Sequence, residues 1–229
     1  MIFKGWQKTS LIEYPGKIAS VLFVSGCNFR CPFCYNPDLV LNSESLPDLS
    51  DQTVCAYLRE NRPLYQAVVI TGGEPTLDPD LPAFLNELKA MDLSTGIETN
   101  GTNPDMLESL IKDGDVDFIA MDVKAPLDEK RYQQATGVSE KKFLVGVRES
   151  IKLILQSGVD YEFRTTVVPG IHCAEDVSLL SNQLNEASRY VLQSFVPGNA
   201  LQAELNDTKP FPRDTLAQWQ ERVEMSWSR

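Results

Sequence analysis

The chain has 229 residues, 42% of them hydrophobic and 23% charged, and a formal net charge of −11. This is the composition of an ordinary globular protein, and the negative balance excludes nucleic-acid binding through a broad basic face. No apolar run approaches the roughly 18 residues needed to cross a membrane, and Met1–Trp6 lacks the apolar core of a secretory leader, so a cytoplasmic location is expected.

Short β-branched runs alternate with longer helical patterns along the chain. Lys17–Val24 is predicted as a strand that ends at a cysteine-bearing loop over residues 25–36. The polar stretch from Asp38 to Asp51 is the longest irregular segment and is a candidate flap beside that loop. Asp51–Glu60 follows as a helix with Ser50 as its N-cap, and Cys55 falls on it as a small core residue. Ala67–Thr71 is wholly apolar up to its last residue, as expected of a strand covered on both faces. Asp80–Met91 is a helix, Thr95–Thr99 a strand, Pro104–Lys112 a helix and Asp117–Val123 a strand. Leu144–Ser157 is a helix stopped by Gly158, and Asp160–Val168 a strand stopped by Pro169-Gly170. Ala174–Asn185, Arg189–Phe195 and Pro212–Met225 complete the series as helix, strand and closing helix. About six strand–helix units with short connections imply parallel strands. A complete eight-unit barrel takes about 250 residues. The expected fold is therefore α/β, a partial (β/α)6 TIM-like barrel open on one side, formed by residues 1–229 as one domain.

In such folds the residues just past each strand's C-terminal end line the site. The first strand delivers Cys27, Cys31 and Cys34, spaced C-x3-C-x2-C. Three thiolates so spaced suit three corners of one iron–sulfur cube, which leaves one iron with an open position. A structural zinc site would need a distant fourth ligand such as Cys55, His172 or Cys173, and three inert buried thiols are the third possibility. Five cysteines with three clustered do not resemble a secreted disulfide framework. The second strand ends at Thr71-Gly72-Gly73-Glu74-Pro75, where paired glycines allow close backbone approach and Glu74 offers a carboxylate to a ligand ammonium; an ordinary turn has the same composition. Glu98-Thr99-Asn100-Gly101 follows the third strand. Asp122 and Lys124, on one face, follow the fourth, either as a salt bridge or as ligand contacts. Arg164 and Thr166 belong to the fifth. His172, the sole histidine, is expected to be a solvated loop residue, and Cys173 carries no assigned role.

The cysteine loop with Phe33 before its third cysteine, together with Gly72-Gly73-Glu74-Pro75, resembles the radical S-adenosylmethionine (SAM) superfamily. Within it, the lead-in Gly5–Gly16, the loop Phe23–Asn36, Glu98–Gly101 and Asp122–Lys124 look like a glycyl-radical-enzyme activase, closest to the anaerobic ribonucleoside-triphosphate reductase activating proteins. The resemblance covers roughly residues 5–200. It implies one [4Fe-4S] cluster on Cys27, Cys31 and Cys34, with SAM chelating the open iron. Glu74, with backbone at Gly72 and Gly73, would hold the SAM ammonium. Phe33, and backbone near Tyr35, would pack the adenine. Glu98, Lys124 and Arg164 would face SAM's amine, carboxylate or ribose, the two cations acting on SAM rather than pairing with each other or with Asp122. Reductive cleavage would give methionine and a 5′-deoxyadenosyl radical that takes a glycine Cα hydrogen from a partner, a glycyl radical enzyme such as an anaerobic ribonucleotide reductase. A flavodoxin- or ferredoxin-type donor would supply the electron. Leu192–Pro197 departs from related pyruvate formate-lyase activases, which carry a histidine there, and no second cysteine set points to an auxiliary cluster. Two alternatives remain: a small-molecule enzyme similar to 7-carboxy-7-deazaguanine synthase, and a non-enzymatic zinc-binding module.

Overall fold

The computed structural model describes the backbone of residues 1–227 and the side chains of residues 1–224. The chain opens with β1 (Ile2–Ser10), antiparallel to β2 (Ala19–Val24). The short helix α1 (Pro37–Leu41) precedes β3 (Leu49–Ser50), which pairs antiparallel with β1. Then come α2 (Asp51–Glu60), β4 (Ala67–Gly72), α3 (Leu81–Lys89), β5 (Ser94–Thr99), α4 (Pro104–Lys112) and β6 (Phe118–Asp122). The sequence ends with α5 (Glu129–Thr136), α6 (Lys141–Ser157), β7 (Asp160–Val167), α7 (Ala174–Gln183), β8 (Tyr190–Ser194) and α8 (Arg213–Trp227).

The strands form one eight-stranded sheet in the order β3-β1-β2-β4-β5-β6-β7-β8. From β2 to β8 every pairing is parallel, so the six expected units stand as read and the sheet remains open between its two edges. Local signals explain the helix starts. Ser50 caps α2 by accepting from the Thr53 N–H at 3.2 Å, and Asn103 caps α4 by accepting from the Met106 N–H at 3.4 Å.

Strand periodicity divides the core in two. Leu22, Val68, Ile70, Ile97, Ile119 and Phe163 face the helices and pack with Leu58, Leu81, Leu85, Leu88, Leu107 and Ile154. Each such side chain contributes about 1.5–3 kcal/mol through burial. The opposite face holds a small second cluster of Ala19, Val21, Ala67, Val69, Phe118 and Ala120 around Tyr14. Tyr14 comes from the β1–β2 loop, at the N-terminal end of the parallel strands, and its ring lies 5.2 Å from that of Phe118. Small residues make the space: a Cβ on Gly96 would sit 3.3 Å from the Tyr14 ring. The loop thus plugs that end of the barrel.

Several elements differ from the sequence expectation. β1 was not foreseen, because its only fully buried residues are Phe3 and Ser10 and it shows little alternation. α5 was missed because Tyr132, Ala135 and Thr136 are its only buried positions, although Asp128 caps it and Gly137 ends it in the left-handed region. The stretch read as an irregular flap contains α1, a 3-10 turn and β3, and is tied to the cysteine loop by the Gly26 N–H donating to the Leu39 carbonyl at 2.9 Å.

Candidate functional site

The cysteine loop leaves β2 through Gly26, whose φ of 80° is in the left-handed region. Arg30 folds the loop on itself, donating to the carbonyls of Cys27 at 2.6 Å and Phe29 at 2.7 Å. Its own N–H donates to Thr136 at the end of α5 at 2.8 Å. Phe29 buries its ring edge-on between Tyr132 and Phe143, which anchors the loop in the core. A strap after β8 holds the far side. Leu201 and Gln202 donate N–H groups to the carbonyls of Cys34 at 3.2 Å and Pro32 at 2.8 Å. The Val196 N–H donates to the Tyr35 hydroxyl at 2.8 Å, Asn199 donates to the Tyr35 carbonyl at 2.8 Å, and the Tyr35 ring stacks on Phe195.

The loop Thr71–Pro75 grips the other flank. The Gly73 N–H donates to Val24 at 2.9 Å and the Glu74 N–H to Gly26 at 2.8 Å. A Cβ on Gly73 would lie 1.8 Å from the Gly26 carbonyl oxygen, and one on Gly72, where φ is 107°, 2.6 Å from that of Val24. Both glycines are therefore required by backbone contact between the two loops. Gly73→Ala is expected to leave a folded barrel with a displaced cysteine loop. Iron uptake on anaerobic reconstitution should fall severalfold while helical circular dichroism is retained; undiminished iron uptake would contradict this.

Glu74 is 1% exposed, and its carboxylate is saturated. One oxygen accepts from the Thr76 N–H at 3.1 Å and from the hydroxyls of Thr76 at 2.6 Å and Thr99 at 2.7 Å; the other accepts from the Asn100 N–H at 2.7 Å. Burial raises its pKa and these donors oppose the rise. A carboxylate presented to a ligand ammonium was expected; in the free protein the side chain locks β4's exit to β5's exit. Asn100 then reaches the cysteine loop, donating to Asn28 at 2.8 Å and toward the Cys27 sulfur at 3.8 Å.

Inside the barrel the polar groups are paired. Arg164 donates through Nε to Glu162 at 2.6 Å and through a terminal nitrogen to Glu98 at 2.6 Å; Glu98 also accepts from the Thr71 hydroxyl at 2.6 Å. Lys124 lies 2.7 Å from Asp122. The expectation that Lys124 would not pair with Asp122 is thus corrected: the two share a strand face, and a buried ammonium needs a counter-charge. Burial opposes the charge on both cations, but Asp122 for Lys124 and Glu98 with Glu162 for Arg164 hold their pKa values above normal.

One cavity of about 290 Å³ opens at these strand ends. Cys27, Cys31, Cys34, Phe33, Tyr35, Gly72, Gly73, Glu74, Glu98, Lys124 and Arg164 all line it, so every residue that the resemblance assigns to the cluster or to SAM borders the same space. Glu13, Thr71, Asn100, Asp122, Thr166 and Gln193 complete much of its wall. Glu13, next to the Tyr14 plug, was not foreseen as a site residue; nothing in its local sequence tells that the loop turns into the barrel. His172, expected in solvent, is 4% exposed, because its two ring nitrogens find backbone partners. Cys55 is fully buried on α2, as expected, and Cys173 is exposed at the start of α7.

Burial pushes the Cys27 thiol up to about 11 and the Cys31 thiol up to about 12. Loading a metal would release these protons. Among the described residues, no three His, Cys, Asp or Glu side chains converge on one ion position. Three thiols on one cavity wall are the donor set that an iron–sulfur cube takes at three of its corners.

Glu13 has a pH consequence. Its carboxylate is 3.8 Å from Arg164 and faces Glu98 and Asp122. Burial, then the Glu98 charge, lift its pKa from the usual 4.5 to about 7, with Arg164 opposing. Across that window the folded state keeps a proton that the unfolded state has lost, so this residue's contribution to stability declines as pH rises from 4.5 to about 7. Glu13→Gln removes that decline. The melting temperature of the variant relative to the parent should climb between about pH 4.5 and 7; a constant difference would remove Glu13 from this role.

Residues 21–176 match the model of the Radical SAM superfamily. A protein of Methanocaldococcus jannaschii that carries the name of a glycyl-radical enzyme activating enzyme, MJ1227, is 31% identical over 93% of this chain and 87% of its own length. The pyruvate formate-lyase-activating enzyme of Clostridium pasteurianum is 28% identical over 77% of this chain and 73% of its own. Among solved structures, TYW1 with a lysine-pyruvate adduct bound superposes with a TM-score of 0.68 at 15% identity, covering 90% of this chain and 73% of that one. Streptococcus suis SuiB bound to S-adenosylmethionine gives 0.64 at 18%, covering 91% and 46%. These two likenesses concern the fold.

Proposed function

From the premise that this chain belongs to the Radical SAM superfamily and groups with its glycyl-radical enzyme activating enzymes, we propose that it installs a glycyl radical on a partner enzyme, specifically an anaerobic ribonucleotide reductase. The superfamily's cofactors are a [4Fe-4S] cluster and SAM. When bound, they supply reductive cleavage of a sulfur–carbon bond and the carbon-centred radical that follows. Cys27, Cys31 and Cys34 would hold the cluster. The polar wall of Glu98, Asp122, Lys124 and Arg164 would orient SAM, with Phe33 and the Tyr35 backbone beside its adenine. SAM is zwitterionic at its amino-acid end and cationic at sulfur, and this wall carries both signs. An incoming ligand carboxylate would compete with Asp122 for Lys124, so the ion pair of the free protein becomes a preplaced cation.

The observation that carries this proposal is the meeting of three thiols with paired charges from successive strands around one cavity. Buried aromatics under the loop and the strap over it limit water at the reacting centre. Residues 1–229 act in this account as one catalytic unit, fed by a flavodoxin- or ferredoxin-type donor.

The test is anaerobic. The reconstituted protein, a low-potential reductant and SAM should yield methionine and 5′-deoxyadenosine. Adding purified anaerobic ribonucleotide reductase should give a glycyl-radical signal by electron paramagnetic resonance. Cleavage without that signal, accompanied by a modified metabolite, would point to a small-molecule substrate. One zinc per chain with neither iron nor sulfide would end the radical account.

A further inference from the structure

We infer that His172 is a positioning residue, tying the Lys124 segment of the cavity wall to the cysteine loop. The inference rests on the SAM site proposed above. His172 does not line the cavity and touches no reacting position. It sits behind the wall, where three segments meet at its ring. Nδ1 accepts from the Val168 N–H at 3.0 Å, in the turn that leaves β7. Since Nδ1 is an acceptor there, the ring proton is on Nε2, which donates to the Lys124 carbonyl at 2.8 Å. The third segment is the cysteine loop, whose Phe33 meets the imidazole edge-on with ring centres 6.0 Å apart.

The first of these bonds is local, four residues apart, and would suffice to shape the turn. The second spans 48 residues and ends on the residue whose ammonium borders the cavity. Lys124 has few other backbone anchors at that point; its N–H donates weakly to the Tyr132 hydroxyl at 3.4 Å. Burial also holds the imidazole in its neutral form, lowering its pKa, which keeps Nδ1 available as an acceptor. One ring therefore sets the height of Lys124 and the tilt of Phe33 together. Both residues border the cavity, so a shift at His172 would be felt at two of the contacts proposed for SAM.

Two conservative substitutions separate this role from a local one. In His172→Asn the amide oxygen stands near Nδ1 and can accept from Val168, but nothing reaches Lys124. In His172→Gln the amide nitrogen stands near Nε2 and can donate to Lys124. Both are measured as anaerobically reconstituted protein, by SAM titration, by the cleavage rate at saturating SAM, and by the change that SAM produces in the resonance spectrum of the reduced cluster. The expected result is a SAM dissociation constant raised about tenfold in His172→Asn, which is what loss of one buried hydrogen bond is worth, with an altered SAM-induced spectrum. His172→Gln should lie within about threefold of the parent. Parent-like behaviour of His172→Asn would confine His172 to the turn and overturn the inference. Equal losses in both variants, with unchanged melting temperature, would overturn it as well, since restoring the Lys124 bond would then have restored nothing. Failure of the parent protein to bind or cleave SAM is a separate outcome and refutes the site itself.

Discussion

Alanine at Cys27, Cys31 or Cys34 is expected to reduce SAM cleavage to background and to strip most of the iron, while Cys55→Ala leaves both near the parent level. Each loop cysteine supplies one corner ligand, and three ligands on one cube leave no redundancy: with two, the cluster has two unligated irons and is lost to solvent. Among the described residues the remaining cysteines are not substitutes. Cys55 is fully buried on α2 and Cys173 is exposed beyond β7, and neither lines the cavity. Trimming the Cys55 sulfur removes a small apolar group from the helix-facing core and costs about 1 kcal/mol of stability. Iron, sulfide and 5′-deoxyadenosine per folded chain decide the matter. Parent-like iron with full cleavage in any one loop variant would refute the ligand assignment.

Glu74→Ala is expected to lower stability by about 3–5 kcal/mol, one of the largest losses available to a single substitution here. The reason is the donors it abandons. Two N–H groups and two hydroxyls, from Thr76, Thr99 and Asn100, converge on one buried carboxylate. Each orphaned donor costs about 1–3 kcal/mol, reduced by whatever water enters the gap. Weakened SAM binding should accompany the loss, through displacement of β5's exit rather than a missing contact. Glu74→Gln keeps the shape and two acceptor lone pairs but turns a donor toward donors, so it should be intermediate. Urea denaturation of the three proteins gives the ordering. A Glu74→Ala protein as stable as its parent, with SAM affinity lost, would restore the direct-contact role.

The parallel part of the fold was legible because it depends on local signals. AVVIT between two helical patterns, Ser50 before α2 and Gly158 after α6 each carry their own physics. So were the site's endpoints, since strand ends in such a sheet must converge. The partners were not legible. Strand periodicity put Lys124 and Asp122 on one face without deciding that they pair, and that Arg164 would bridge Glu162 to Glu98 depends on β5 and β7 flanking β6 across the sheet. Glu74's partners within the protein escaped notice for the same reason: two of its donors lie 25 and 26 residues away. His172 was assigned to solvent because a polar loop residue usually is; its burial follows from two backbone partners that only the folded turn and β6's exit bring together. The loop carrying Glu13 and Tyr14 escaped notice because its packing is against the barrel's inside, where small residues such as Gly96, Ala19, Ala67 and Ala120 make the space.

That inward turn of Tyr14 gives the barrel a stopper. With its N-terminal end stoppered, the barrel offers its cavity to ligands at the opposite end, where Cys27, Cys31, Cys34, Glu98, Lys124 and Arg164 stand. Under the function proposed above, SAM and a glycine-bearing segment of the partner would both reach the cavity from that end. A tyrosine at the opposite end of the barrel from the proposed chemistry would thus bear on the order in which ligands come and go.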